Sequence, residues 1–135
     1  MYVHPTPEQV TELSEADPNK PIVMLNLIQF AETANPGFGC DGMSGADAYA
    51  KYAQDVAGLG DKFPGHMVWL GTSLGTVIGP PEEDWDLVLV VTYESPAEFF
   101  AAVTTPEYLE VAPARDAAVA DSRLVMMQGD GEPWG

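Results

Sequence analysis

Pro21 to Phe30 reads P-I-V-M-L-N-L-I-Q-F, an apolar run interrupted only by Asn26 and Gln29. Its shortness, its Ile, Leu and Val content, and its bounds, Pro21 on one side and the Asn35-Pro36-Gly37 loop on the other, predict a central strand covered on both faces. Alternation puts Ile22, Met24, Asn26, Ile28 and Phe30 on one side and Val23, Leu25, Leu27 and Gln29 on the other. One amide therefore falls in an apolar stripe. A buried amide without a partner costs on the order of 1–3 kcal/mol, so Asn26 needs a polar neighbour, water or a ligand. It marks a candidate pocket and names no reaction.

The rest of the chain frames that strand. Its 135 residues predict one domain over 1–135, with a leading helix at 6–16 and a tail at 129–135. Five basic residues against 21 acidic ones give a formal charge of −16. Such a field repels phosphate backbones and anionic headgroups, which argues against nucleic acid and membrane as partners. The carboxylates are scattered, as on a solvated surface. Cys40 is the only cysteine, so no internal disulfide can form. The opening Met1 to Pro7 lacks the basic start and apolar core of a secretory signal, and no apolar run approaches the roughly 20 residues of a membrane span. The expected compartment is the cytoplasm.

Thr6-Pro7-Glu8-Gln9 is a helix opening, with Thr6 as N-cap and Gln9 placed to close a capping box. Ser44 to Ala57 reads as a second helix, stopped by Gly58 and Gly60, with Tyr49, Tyr52, Ala53 and Val56 on one stripe. His66 to Ile78 reads as a second strand, with His66, Val68 and Leu70 on one face and Met67 and Trp69 on the other. Asp86 to Glu94 is a third strand, carrying Leu87 and Tyr93 on one side and Val90 and Thr92 on the other. Ser95-Pro96-Ala97-Glu98 starts another helix. Thr105-Pro106-Glu107 restarts a helical turn that Pro113 is expected to kink or break. Ser122 to Gln128 is the last strand, and the tail carries Trp134.

Without the leading helix the order is β, α, β, β, α, β. This predicts an α+β, ferredoxin-like fold, an antiparallel sheet with helices on one face. The first and third strands are apolar on both faces, so a second copy is expected over the bare one.

Two motif matches fail on context. Gly37-Phe38-Gly39-Cys40-Asp41-Gly42 spells the dinucleotide fingerprint, but six residues separate it from the strand and Glu32 and Asp41 would face the phosphates. A flexible glycine-rich loop or lid is expected instead. Gly71-Thr72-Ser73-Leu74-Gly75 matches the nucleophile elbow, which requires a strand-to-helix turn, whereas this segment reads on as strand. No metal site is expected, since His4 and His66 have no ligand spacing.

Three stretches taken together resemble the domain-of-unknown-function 1330 family of the dimeric α+β barrel superfamily. They are V-M-L-N-L-I-Q-F at Val23–Phe30, G-A-D-A-Y-A-K-Y at Gly45–Tyr52, and T-P-E-Y-L-E-V-A-P-A-R-D-A-A at Thr105–Ala118. The likeness spans about residues 6 to 128. It implies a ferredoxin-like protomer whose sheet packs on a partner's to close a barrel, with a pocket between sheet and helices. It also implies site positions at Asn26, Tyr49, Tyr52, Tyr108 and Arg115, in a family without a settled activity.

Two functions fit these residues. The first is an enzyme without cofactor, of oxygenase, isomerase or lyase type, acting on a small carbonyl or carboxylate compound. Asn26 would bond a carbonyl, Arg115 an acid group, and Tyr49, Tyr108 or His66 would relay a proton. Tyr52, Trp69 and Tyr93 are further candidates for contact with substrate. The second is a homodimeric binding or sensing module with the same pocket and no turnover. For Arg115 the alternative is an ion pair with Asp116 or Glu110, or a helix cap.

Overall fold

The structure, a computed structural model, describes residues 1–129. The elements are α1 (Pro7–Leu13), β1 (Ile22–Phe30), α2 (Gly45–Gly58), a 3-10 turn (Gly60–Lys62), β2 (His66–Gly71), β3 (Leu87–Tyr93), α3 (Pro96–Ala102), α4 (Pro106–Ala118) and β4 (Val119–Met127). Trp134 and the rest of the tail from 130 lie outside the described residues.

Side-chain caps set the helix starts. Thr6 accepts from the Gln9 N–H while the Gln9 side chain accepts from the Thr6 N–H, which completes the capping box. Ser44, Ser95 and Thr105 accept from the N–H groups of Asp47, Glu98 and Tyr108. Each cap stabilises its helix by about 1 kcal/mol.

The four strands form one antiparallel sheet in the order β2-β3-β1-β4, with β1 between β3 and β4. This is the ferredoxin-like α+β fold. On β1, Ile22, Met24 and Ile28 are buried, so their side is the one the helices cover. Val23, Leu25 and Leu27 point to the other, outer face, paired with Thr92, Val90 and Val88 of β3 and with Met127, Val125 and Arg123 of β4.

Four local expectations change. Helix α4 runs unbroken through Pro113, because Tyr108, Ala114, Ala117 and Ala118 bury one side of it and offset the roughly 3 kcal/mol of an interior proline. Strand β2 ends at Gly71 rather than Ile78, and residues 72–86 leave the sheet. A register shift between Met67 and Trp69 puts His66 and Trp69 on one face, opposite Thr92 and Val90, and turns Met67 and Leu70 to the helix side. The glycine-rich loop, finally, is tied down. The Asn35 amide donates to the Asp116 and Val119 carbonyls at 2.9 and 3.0 Å, Ala34 N–H donates to the Met43 carbonyl, and Ala34 and Cys40 are buried. The Gly37 N–H, which a phosphate would need, donates to the Asp41 carboxylate at 3.0 Å.

Candidate functional site

The buried side chains fall into two clusters, and the division comes at Asn26. Ile28 belongs to one with Tyr49, Leu89, Ala114, Ala117, Ala118 and Val119. Met24 belongs to the other with Ile22, Tyr93 and Ala102. Asn26 lies between them on the helix-covered side and is only half-buried. Its amide has no hydrogen-bond partner among the described residues, and no fully buried side-chain N or O atom there goes unpartnered, so the amide reaches solvent. Its β4 neighbour on the same side, Leu124, is 44% exposed. The helix-covered face is thus left partly open to solvent at Asn26 and Leu124.

Helices α2 and α4 lie against each other and supply the tyrosines Tyr49, Tyr52 and Tyr108. The Tyr52 and Tyr108 hydroxyls are 2.8 Å apart. Rings run on from there: Phe30 to Tyr49 and Tyr49 to Tyr52, each at 5.4 Å between centroids, then Tyr52 to Tyr108 at 6.3 Å. Phe63 stacks on Tyr108 at 5.6 Å and meets Tyr93 edge-on at 6.1 Å. Gly65 allows this, since a Cβ there would stand 2.8 Å from the Tyr93 hydroxyl.

Electrostatics keep these phenols neutral, as hydrogen-bond donors. Burial pushes Tyr49 up to about 12, against the opposing pull of the Arg115 charge. Burial also raises Tyr52, helped by the adjoining Tyr108 hydroxyl, and Arg115 again opposes. Tyr93 is raised by burial and then by Tyr108. All three stay protonated near neutral pH.

Arg115 is therefore close enough to act on Tyr49 and Tyr52, and it pairs with no carboxylate among the described residues. The ion pair with Asp116 or Glu110 is not formed. Instead its Nη1 donates to the Val3 carbonyl at 3.1 Å. Val3 sits in a strap pinned on both sides: Tyr2 N–H donates to Asp121, Ser122 Oγ donates to the Tyr2 carbonyl, and His4 Nε2 is 3.0 Å from Asp116 Oδ1.

Of the residues singled out by sequence, Tyr49, Tyr52, Tyr93, Tyr108 and Arg115 come together, and Asn26 faces the same side. His66 and Trp69 do not join them: His66 pairs with Thr92 on the outer face, and the β2 bulge brings Trp69 to the same face. Sequence reasoning missed Phe63 and the strap. The Lys62-Phe63-Pro64 turn carried a weak signal for the first, and nothing local pointed to residues 2–4. Among the described residues, no group of three or more His, Cys, Asp and Glu is placed to hold a metal, and no helix is long and apolar enough to cross a membrane.

No family model matches the chain, and no curated protein does. Among solved structures it is similar to a protein of unknown function from Rhodopseudomonas palustris, RPA0582, at 34% identity over 97% of this chain and 98% of that one, with a TM-score of 0.87. The methylated form of RPA0582 gives 35% identity and a TM-score of 0.86 over 95% and 94% of the two chains. More distant likenesses bear on the fold alone. A hydroxynitrile lyase from Passiflora edulis matches at TM-score 0.56 and 18% identity, over 86% of this chain and all, 100%, of that one. A dimeric protein of unknown function and ferredoxin-like fold from Bacteroides fragilis matches at 0.55 and 11%, over 81% and 96%.

Proposed function

We propose, for a chain that belongs to the family of the Rhodopseudomonas palustris RPA0582 protein, that it is a homodimeric small-molecule-binding protein whose pocket takes a small carbonyl or carboxylate compound. One observation carries this: the core divides at a solvent-reaching Asn26 amide, on the side where neutral phenols and an arginine without a carboxylate partner converge. Asn26, Tyr49, Arg115 and the one of Tyr52 and Tyr108 that accepts from the other can each donate a hydrogen bond, and none is a carboxylate or imidazole. Such a set holds an oxygen carrying negative charge and excludes nothing planar and apolar attached to it. The ring-lined walls supply the apolar contact.

The same donors would favour a carbonyl that gains charge, as an enolate or alkoxide does, so turnover without a cofactor is the second reading. The cyanohydrin chemistry named for the Passiflora protein is not carried over, since only the fold is shared. We assign the chain to the domain-of-unknown-function 1330 family on its three motifs, which supply β1, α2 and α4. We also propose a single domain in the cytoplasm.

Homodimerisation is supported by the outer sheet face, where Val23, Leu25, Leu27, Val88, Val90, Trp69, Val125 and Met127 form an apolar surface with no cover from the described chain. The Bacteroides protein, of like fold, is described as dimeric.

Native mass spectrometry of the purified protein tests both parts. The expected result is a dimer carrying a carbonyl or carboxylate compound that the Arg115→Met variant loses. A protein that arrives empty, and gains no thermal stability from a panel of aliphatic and aromatic acids and ketones, would overturn the ligand assignment. Unchanged kcat with raised KM in Tyr108→Phe, on any substrate found, would place that phenol in binding rather than chemistry.

A further inference from the structure

Residues 72–86, T-S-L-G-T-V-I-G-P-P-E-E-D-W-D, join β2 to β3, a connection that hairpins usually make with two to five residues. The segment has a fastened root. Asp86 N–H donates to the Ile28 carbonyl and the Asp86 carboxylate accepts from Phe30 N–H, both at 2.8 Å. Arg123 bonds Glu83 at 2.8 Å, and its guanidinium lies 5.1 Å from the Trp85 ring and 4.9 Å from the Tyr2 ring. The tip is folded back on this root, with Thr76 Oγ1 donating to the Glu83 carbonyl at 3.2 Å and Glu83 N–H to the Pro80 carbonyl at 3.1 Å.

Yet Leu74, Val77 and Ile78 are 103%, 97% and 93% exposed. A held tip that offers three bare branched side chains to water is unfavourable for a monomer and suits a docking element. Thr72 to Pro81 also contains no charged residue, in a chain of net charge −16. Here a second acidic chain could approach without carboxylates meeting. The root borders the outer sheet face, because Arg123 is the register partner of Leu27, which points there. Tip and sheet face are thus continuous.

We infer that residues 72–81 form an arm that clasps a second copy of this chain, with Leu74, Val77 and Ile78 seated on the partner beside the joined sheet faces. This rests on the homodimer proposed above. By two-fold symmetry each protomer gives one arm and receives one, so every tip substitution acts twice.

Sedimentation of the full chain, as wild type and as the Leu74→Ser/Val77→Ser/Ile78→Ser variant, tests it. The three side chains touch little of their own chain, so the variant is expected to keep the wild-type circular dichroism while its dimer dissociation constant rises roughly 100-fold. A second measurement uses thiol labelling of Ile78→Cys, with Cys40 silent at 2% exposure. Labelling is expected to slow by at least about tenfold between dilute and concentrated samples. A variant as tightly dimeric as wild type, with labelling independent of concentration, overturns the arm and leaves the dimer standing. A wild-type protein that stays monomeric at high concentration overturns both. A monomer that sediments with zwitterionic vesicles through this tip would show a membrane as the partner, and the second-copy assignment would be wrong.

Discussion

Asn26→Leu replaces the amide under the helices with an apolar side chain of similar size. In the native protein Asn26 stands between buried Met24 and buried Ile28, with Leu89 and Leu124 beside it on the neighbouring strands. No side-chain hydrogen bond is lost among the described residues. Complete burial of a leucine contributes about 1.5–3 kcal/mol, and the half-buried site gains about half of that, on the order of 1 kcal/mol. For a chain of this length that corresponds to a melting temperature raised by roughly 3–5 °C. Ligand retention should vanish in the same variant, since the amide of the proposed pocket is gone. Thermal unfolding of the ligand-free protein and native mass spectrometry read the two effects separately. A melting temperature lowered by several degrees would show that the amide is a satisfied structural group. A raised melting temperature with undiminished ligand binding would put the pocket elsewhere.

Alkaline pH should unfold the protein through its buried phenols. Tyr49, at about 12 in the folded chain against an ordinary 10.0, has its full stabilising effect below pH 10 and loses on the order of 3 kcal/mol as pH rises towards 12. Tyr52 and Tyr93 are raised as well and act in the same direction. Urea midpoints measured from pH 8 to 11.5 should therefore fall steeply above 10, and a flat profile would contradict the burial. Tyr108→Phe leaves the Tyr52 hydroxyl without its partner and should cost about 1–2 kcal/mol, part of which the double variant Tyr52→Phe/Tyr108→Phe regains. A double variant whose loss equals the sum of the two single losses would mean that the two hydroxyls do not interact. Gly45→Ala drives a Cβ into the Ala31 carbonyl and to within 2.8 Å of the Ala118 carbonyl, backbone that cannot yield, so a loss of roughly 3 kcal/mol or more is expected in urea unfolding.

How far the site could be read from the chain differs residue by residue. Asn26 stood out because an amide in an apolar stripe is a contradiction visible at period two. Tyr49 and Tyr52 fell on one stripe of α2 through helical spacing alone. Their pairing with Tyr108 needed the approach of α2 and α4, which brings together Tyr52 and Tyr108, 56 residues apart. Arg115 stood out as one of two arginines in an acidic chain, but its partner is the Val3 carbonyl, 112 residues away. No local pattern encodes such a contact. Trp69 was misplaced for the opposite reason, since alternation was applied through a bulge, and the register with β3 that reveals the bulge also sets His66 on the outer face.

The sequence by itself determined the helix starts, the order of elements and hence the ferredoxin-like fold. Caps at Thr6, Ser44, Ser95 and Thr105 act over three residues, and strand alternation over two, so both are complete within a short window. Only the tertiary structure decided which face Trp69 takes, that α4 survives Pro113, that Asn35 pins the glycine-rich loop, and that residues 72–86 carry a bare apolar tip. Each of these depends on groups far apart in the chain, whose free energy of contact outweighs the local preference once the sheet and helices have met.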